Sequence, residues 1–365
     1  MKILLSGGGT GGHIYPALAL MRRIKTVHPD AEFLYVGTER GLESTIVPKA
    51  GVPFRSVDIQ GLKRSLSLDN LKTVYLMLTS VQKSKKIVKE FNPDVVIGTG
   101  GYVCAPVLYA ASRLNIPTVI HEQNSVAGVT NKFLARFVDR IAICFEDVRQ
   151  DFGKYGNKVV YTGNPRAQEV VDITETANLT DYGLSNDLPT ALVFGGSRGA
   201  EKINQSLVEA AARFAGENMQ AILITGERHF EKVEKQISSL VPGISNVKVL
   251  PYTDNMPALF RKVELVVCRS GATTLTELTA LGIPSVLIPS PYVTANHQLR
   301  NAESLANNGA AMIIEEADLN GTRLYDTIEL LLTNKEKREK MSVRAIELGV
   351  PDASDRLFAV MQEIM

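Results

Sequence analysis

The sequence predicts an α/β protein built from two doubly wound, Rossmann-like domains facing a cleft. Three observations predict it. Short apolar runs alternate with amphipathic stretches from end to end, the rhythm of βαβ units around parallel sheets. The rhythm is played twice. The strand, glycine turn and helix that open the chain at Ile3-Leu4-Leu5-Ser6-Gly7-Gly8 return at Ala191-Leu192-Val193-Phe194-Gly195-Gly196-Ser197-Arg198-Gly199-Ala200. At 365 residues, finally, the chain exceeds what one hydrophobic core usually holds.

In the first half the apolar runs predict strands over 2–6, 32–36, 94–98, 117–121 and 140–144, and the helical spacing predicts helices over 14–27 and 102–114. In the second half strands are expected over 190–194, 221–225, 247–250, 265–268 and 285–288, with helices over 201–215 and 274–281. Gly163-Asn164-Pro165-Arg166 is a turn signal, and the stretch 174–189 after it is polar and without pattern. The joint is therefore placed near 163–166, giving an N-terminal domain 1–165 and a C-terminal domain 166–365. The last segment, 352–365, carries Leu357, Phe358, Val360, Met361 and Ile364. It is a candidate for packing back on the first domain.

Composition narrows the function. The 40 basic and 39 acidic residues leave a net charge of +1, which argues against a general nucleic-acid binder. Three dispersed cysteines, Cys104, Cys144 and Cys268, argue against a disulfide scaffold or a thiolate zinc site. After Met1-Lys2 only three apolar residues precede the glycines, so no signal peptide is expected and a cytosolic setting is. No run approaches the ~20 apolar residues of a membrane span. The stretch 61–91 differs from its surroundings: seven basic residues face two acidic ones, with Leu68, Leu71, Val74, Tyr75, Met77, Leu78 and Val81 interleaved. One reading lays it on an anionic membrane surface, where each basic residue adds about 1 kcal/mol. The other makes it an ordinary core helix with a solvated end.

The glycine loops carry the chemistry. Residues 7–12 satisfy G-x-G-x-x-G between a strand and a helix, where unpaired amides and the helix dipole favour an anion. A dinucleotide site would need an acidic ribose partner at the end of the second strand. Glu39 sits late for that, after a Gly-Thr turn. Two more loops of the same kind, Gly98-Thr99-Gly100-Gly101-Tyr102 and Gly195 to Ala200, point instead to two phosphate-bearing partners, one for each domain. His13 is either a helix-start residue bonding its own turn or a general base, since a histidine near neutrality suits proton removal from a hydroxyl. His121-Glu122-Gln123-Asn124 is a polar tetrad at a strand end. Arg269-Ser270-Gly271-Ala272-Thr273-Thr274-Leu275-Thr276-Glu277 is a strand end followed by a helix start. There Ser270 or Thr273 could serve as a cap, and Glu277, one turn in, could accept two ribose hydroxyls. Asn296-His297-Gln298 adds a polar loop at the same edge. The chain has no Asp-x-Asp pair to carry a divalent metal. Helix N-termini would then have to stabilise a leaving diphosphate.

Taken in order, Gly8-Gly9-Thr10-Gly11-Gly12-His13, Gly98-Thr99-Gly100-Gly101-Tyr102-Val103, His121-Glu122-Gln123-Asn124, Gly163-Asn164-Pro165-Arg166, the loop at Gly195 and the run from Arg269 to Glu277 resemble the bacterial peptidoglycan N-acetylglucosaminyltransferases over nearly the whole chain. The resemblance implies a GT-B glycosyltransferase fold. It implies transfer, with inversion, of N-acetylglucosamine from UDP-GlcNAc to the muramyl 4-hydroxyl of undecaprenyl-diphosphate-linked muramyl pentapeptide (lipid I), giving lipid II at the cytoplasmic face of the cell membrane. No metal, cofactor or nucleic acid is implied. Carried over by motif, Thr10, Gly11, Gly12, Asn124, Arg166, Ser197, Thr253, Ala272, Thr273, Thr274, Glu277 and Gln298 are expected at the donor. Gly8, Gly9, Gly100, Gly101 and Tyr102 are expected at the acceptor diphosphate. Lys72, Tyr75, Leu78, Lys83 and Lys86 are expected on the membrane, and His13 and Glu122 in catalysis, with His121 a further neighbour. Thr253 replaces the isoleucine many members hold, and Arg166 follows Asn-Pro directly where some members insert a residue. The residues alone leave two rivals: a sugar-nucleotide epimerase, and an inert nucleotide-sugar-binding or membrane scaffold protein.

Overall fold

The structure, a computed structural model, describes residues 1–60 and 76–365 in full and 68–75 by backbone alone. It holds two compact units. One comprises Met1–Glu169 and Asp352–Met365, the other Val170–Pro351. The expected joint at 165/166 thus falls in the first turn of the helix Pro165–Asp172.

The first unit is built on a seven-stranded sheet: β1 (Lys2–Ser6), β2 (Glu32–Gly37), β3 (Phe54–Ser56), β4 (Val95–Gly98), β5 (Thr118–Glu122), β6 (Arg140–Ile143) and β7 (Val159–Tyr161). Their spatial order is β3-β2-β1-β4-β5-β6-β7, all parallel. The strands are apolar throughout because both faces are covered. Ile3, Leu5, Phe33, Tyr35, Val95 and Ile97 pack on one face, Leu4, Leu34, Val36, Val96 and Ile120 on the other. The last helix, Ala353–Gln362, puts Leu357, Phe358 and Met361 into the first of these layers.

The second unit repeats the plan with β8 (Thr190–Phe194), β9 (Gln220–Ile224), β10 (Val247–Leu250), β11 (Leu265–Cys268), β12 (Ser285–Leu287) and β13 (Ala311–Ile313) in the order β10-β9-β8-β11-β12-β13, again parallel. The strands the spacing predicts are all present. The three it misses, β3, β7 and β13, are three-residue edge strands, too short to show a period.

Strand order reverses between β1 and β4 and between β8 and β11. In such sheets ligands bind beyond the carboxyl ends of the strands at these switch points. The register sets Ser6 level with Gly98 and Phe194 level with Cys268. The first two glycine loops therefore leave their sheet side by side, as do the third loop and the run from Arg269.

Candidate functional site

At the first switch point the two loops are one piece. The Thr99 amide donates to the Ser6 carbonyl at 2.8 Å and its hydroxyl to the His13 carbonyl at 2.6 Å, while the Gly8 amide donates to the Gly100 carbonyl at 3.1 Å. Gly101 has φ +90°, and a Cβ there would lie 2.5 Å from the Gly8 carbonyl oxygen, so no other residue fits. The helix Gly11–Val27 starts three residues earlier than its spacing predicts. Its two glycines occupy the first turn, where an amide needs no intrahelical partner.

His13 is half-buried in that turn. Its Nδ1 lies 2.7 Å from the Gly8 carbonyl oxygen. A carbonyl only accepts, so this contact assigns the proton to Nδ1 and leaves the lone pair on Nε2. A Cβ on Gly100 would come within 2.9 Å of that Nε2: the ring lies against the second loop. The amides of Gly8, Gly9 and Gly100 are all committed inside the site, to the Gly100 carbonyl, the Glu43 carboxylate and the Cys104 sulfur. Those of Gly11, Gly12, Gly101 and Tyr102 have no protein partner among the described residues. Among the expected acceptor residues, Gly101 and Tyr102 are thus the ones with donors to spare, and Tyr102 stands 59% exposed beside them.

In the tetrad at the end of β5, the His121 and Glu122 side chains are taken up by internal hydrogen bonds. Glu122 is buried, and its carboxylate accepts from the Asn124 amide at 3.0 Å, the Asn124 side chain at 3.4 Å, the Gly128 amide at 2.9 Å and Asn131 Nδ2 at 2.9 Å. Four donors fill it and close the loop 122–131. His121 is fully buried; Nε2 contacts the Gly163 carbonyl at 2.9 Å and Nδ1 the Gln123 side-chain amide at 2.9 Å. Desolvation pushes its pKa down to about 4, against the pull of the Gly163 hydrogen bond. It is a neutral imidazole with both nitrogens engaged. Burial also raises the Cys104 thiol to about 12 and lifts those of Cys144 and Cys268. None is a thiolate nucleophile near neutrality. Arg166 pairs with Glu169, which Arg22 also contacts.

The second switch point presents the helix Ala272–Leu281. Its N-cap is Gly271, and no side chain caps it. The Ser270 hydroxyl donates instead to the Gln298 carbonyl at 2.7 Å. The Leu275 amide is the first to find a partner, so those of Ala272, Thr273 and Thr274 begin an uncapped helix. Glu277 is buried one turn further on. A pocket of about 730 Å³ opens beside this helix, lined by Gly195, Gly199, Lys202, Arg269, Ser290 and Gln298 among others. Gln298 is fixed there by accepting from the Ser290 amide at 2.9 Å. Ser197 stands exposed in the loop between Gly196 and Gly199, whose backbones turn left-handed. Thr253 is half-buried and its hydroxyl accepts from the Asn255 amide at 3.2 Å. Arg269 is spent on structure: it pairs with Glu316 and donates to the Ile288 and Pro289 carbonyls.

Of the expected membrane residues, the side chains of Lys72 and Tyr75 lie outside the described residues, as does all of 61–67. The helix Leu68–Phe91 continues with Leu78 64% exposed, Lys83 3.5 Å from Asp58 and Lys86 3.9 Å from Glu90, while Val81, Ile87 and Val88 are buried. Among the described residues no helix is long and apolar enough to cross a membrane, and no cluster of metal-ligating side chains occurs. Sequence reasoning overlooked Glu43, a buried carboxylate inside the first switch point. Its only trace in the sequence is the pair of glycines flanking it, Gly37 and Gly41.

The chain matches the glycosyltransferase family 28 N-terminal domain over residues 3–143 and the glycosyltransferase family 28 C-terminal domain over residues 190–357. It is 54% identical, over the full length of both chains, to a Bacillus cytotoxicus protein named UDP-N-acetylglucosamine--N-acetylmuramyl-(pentapeptide) pyrophosphoryl-undecaprenol N-acetylglucosamine transferase. The crystal structure of MurG from Acinetobacter baumannii superposes with a TM-score of 0.79 at 26% identity, covering 99% of each chain. A putative UDP-N-acetylglucosamine 2-epimerase from Listeria monocytogenes superposes with a TM-score of 0.73 over 99% of this chain and 96% of its own, at 16% identity, a likeness of fold alone.

Proposed function

The chain belongs to glycosyltransferase family 28, a GT-B fold, and on that premise we propose how its residues carry out the family's reaction. The enzyme moves N-acetylglucosamine from UDP-GlcNAc to the muramyl 4-hydroxyl of lipid I and forms the β-1,4 linkage of lipid II in peptidoglycan synthesis. The observation that carries the assignment of parts is the pairing of two switch points, each with an amide-rich helix start, the first with His13 in that opening turn, its Nε2 left without a hydrogen-bond partner among the described residues.

In the second unit the uncapped start of Ala272–Leu281 takes the donor's diphosphate, Glu277 the ribose hydroxyls, and Ser197, Thr253 and Gln298 the rest of the nucleotide sugar. By motif, Asn124 and Arg166 are also assigned to the donor. In the first unit Thr10, Gly11 and Gly12 border the reacting sugar. The free amides of Gly101 and Tyr102 hold the lipid diphosphate, with Gly8, Gly9 and Gly100 shaping the loops that present them. His13 Nε2 removes the proton from the acceptor hydroxyl. The oxygen attacks the anomeric carbon in line, and UDP departs as its new charge meets helix-terminal amides. Glu122, filled by four donors, holds Asn124 and the 122–131 loop in place rather than taking a proton.

The helix end around Lys72, Tyr75, Leu78, Lys83 and Lys86 rests on the cytoplasmic leaflet; the exposed Leu78 and basic side chains support that reading. Radiolabelled UDP-GlcNAc incubated with lipid I tests the function, with label expected in the lipid fraction. Release of free sugar or of an isomer with no labelled lipid would instead mark an epimerase. Sedimentation with anionic and with neutral vesicles tests the membrane contact, which only the anionic ones should support.

A further inference from the structure

Glu43 is wholly buried, yet no cation pairs with it among the described residues. Its three donors are the Gly9 amide at 3.0 Å, the Thr38 amide at 3.0 Å and the Thr38 hydroxyl at 2.7 Å. Three glycines make room for it. A Cβ on Gly8 would lie 2.4 Å from Oε1, one on Gly41 2.1 Å from Oε2 and one on Gly37 2.5 Å from Cγ. A buried carboxylate is costly unless well partnered, so its retention here wants a reason beyond packing.

The reason lies in one peptide group. The N–H that Glu43 accepts from is that of Gly9, and the carbonyl that His13 Nδ1 contacts at 2.7 Å is that of Gly8. Both belong to the single planar amide joining Gly8 to Gly9. Carboxylate, peptide plane and imidazole form a continuous hydrogen-bonded chain. A carboxylate on the N–H side polarises the amide and strengthens its carbonyl as an acceptor. We propose that Glu43 is a positioning residue for the transfer, acting on His13 through the Gly8–Gly9 peptide. It fixes the Nδ1–H tautomer and favours the imidazolium that forms when Nε2 takes the acceptor proton. The arrangement does the work of a carboxylate bonded directly to a catalytic histidine, with a peptide group interposed.

The inference rests on His13 as the base, and two readouts separate the two claims. The first is the 15N spectrum of histidine-labelled protein, with the His13 resonances assigned by their loss in H13Q. The wild type should show the Nδ1–H tautomer, whereas Glu43→Ala and Glu43→Gln should shift His13 toward the Nε2–H form that a free histidine side chain prefers. The second is kinetic: both variants should lose at least tenfold in kcat, with KM for UDP-GlcNAc within twofold of wild type. Glu43→Gln keeps the shape of the side chain and serves if Glu43→Ala does not fold. An unchanged tautomer in Glu43→Gln overturns the relay. A changed tautomer with unchanged kcat overturns its part in the transfer. Retained turnover in His13→Ala would instead remove the base assignment and leave the tautomer result standing.

Discussion

Arg23 grips Asp355 with both arms of its guanidinium, at 2.7 and 2.8 Å, across 332 positions of sequence. The same carboxylate accepts from the Gln168 side chain at 2.8 Å, and the Asp355 amide donates back to Gln168 at 3.0 Å. The chain leaves the first unit after Glu169 and returns at Asp352. One carboxylate therefore ties the departing segment, the returning helix and the helix Gly11–Val27 together, with His28 edge-on to Phe358 at 5.4 Å beside it. The hydrogen bond from Arg23 holds the Asp355 carboxyl below its ordinary range, opposed by partial desolvation. A depressed acid pKa stabilises the fold above the unfolded value, about 4, and loses that contribution as pH falls through the folded one. The pair is partly exposed, so the expected cost of Asp355→Ala is about 1 kcal/mol at pH 7. Denaturant unfolding should show that difference narrowing at pH 3; a difference independent of pH would rule out the charge as its source.

His121 reports on acid from the opposite side. Its pKa is lowered to about 4 by burial, so the folded protein resists protonation that the unfolded chain accepts near the ordinary histidine value of about 6.5. The neutral ring's contribution is complete above that value. It declines as pH falls from there to about 4, by about 1.4 kcal/mol for each unit. His121→Gln, which cannot titrate, should flatten this part of the stability–pH curve while lowering stability at pH 7 by about 1–3 kcal/mol through lost buried hydrogen bonds. Thermal unfolding between pH 4 and 7 measures both; a wild-type curve already flat there would place the His121 pKa elsewhere.

Gly199 closes the third glycine loop at φ +72°, and a Cβ there would lie 1.8 Å from the Thr225 carbonyl oxygen. That clash is with backbone of the neighbouring β9 turn and cannot be relieved by a rotamer change. Gly199→Ala should cost about 3 kcal/mol or more, or else displace the loop that lines the pocket beside Ala272–Leu281. Gly216 has a similar φ, +80°, with open space around it, so Gly216→Ala carries backbone strain without a clash and should cost only about 1 kcal/mol. Unfolding midpoints of the two variants make the comparison, and equal midpoints would discard the clash as the cause.

The sheets were legible because their strands are buried on both faces. A run such as Thr190–Phe194 has no solvated side to break it and stands out from polar helix surfaces. Edge strands such as Phe54–Ser56 lack that signature, and the start of Gly11–Val27 was hidden by glycines that usually end helices. The site divides along a different line. The glycine loops and the uncapped start of the Ala272 helix were legible because glycine-rich turns between a strand and a helix leave a motif in the sequence. What a side chain does after it leaves that backbone was not. Glu122 is a candidate base in sequence and its carboxylate is filled with donors, while Glu43, which belongs to no motif, is buried against the Gly9 amide.

The proposed base and the proposed ribose carboxylate lie in different units, so kinetics can separate their roles. His13 carries its free lone pair in the first unit, and Glu277 lies buried in the uncapped helix of the second. His13→Ala removes the proposed base, and general base catalysis is worth about 10²–10⁴ in rate. Turnover should fall on that scale while KM for UDP-GlcNAc stays within about twofold, since the loss appears only in the transition state. Glu277→Gln keeps the shape but gives up the charge-assisted hydrogen bonds proposed to the ribose, worth about 1.5–3 kcal/mol. KM for UDP-GlcNAc should rise about tenfold or more with kcat little changed, because ribose contacts hold ground state and transition state alike. Initial rates over a range of UDP-GlcNAc at saturating acceptor measure both. If the two variants failed in the same parameter, the division of labour between the two switch points would not stand.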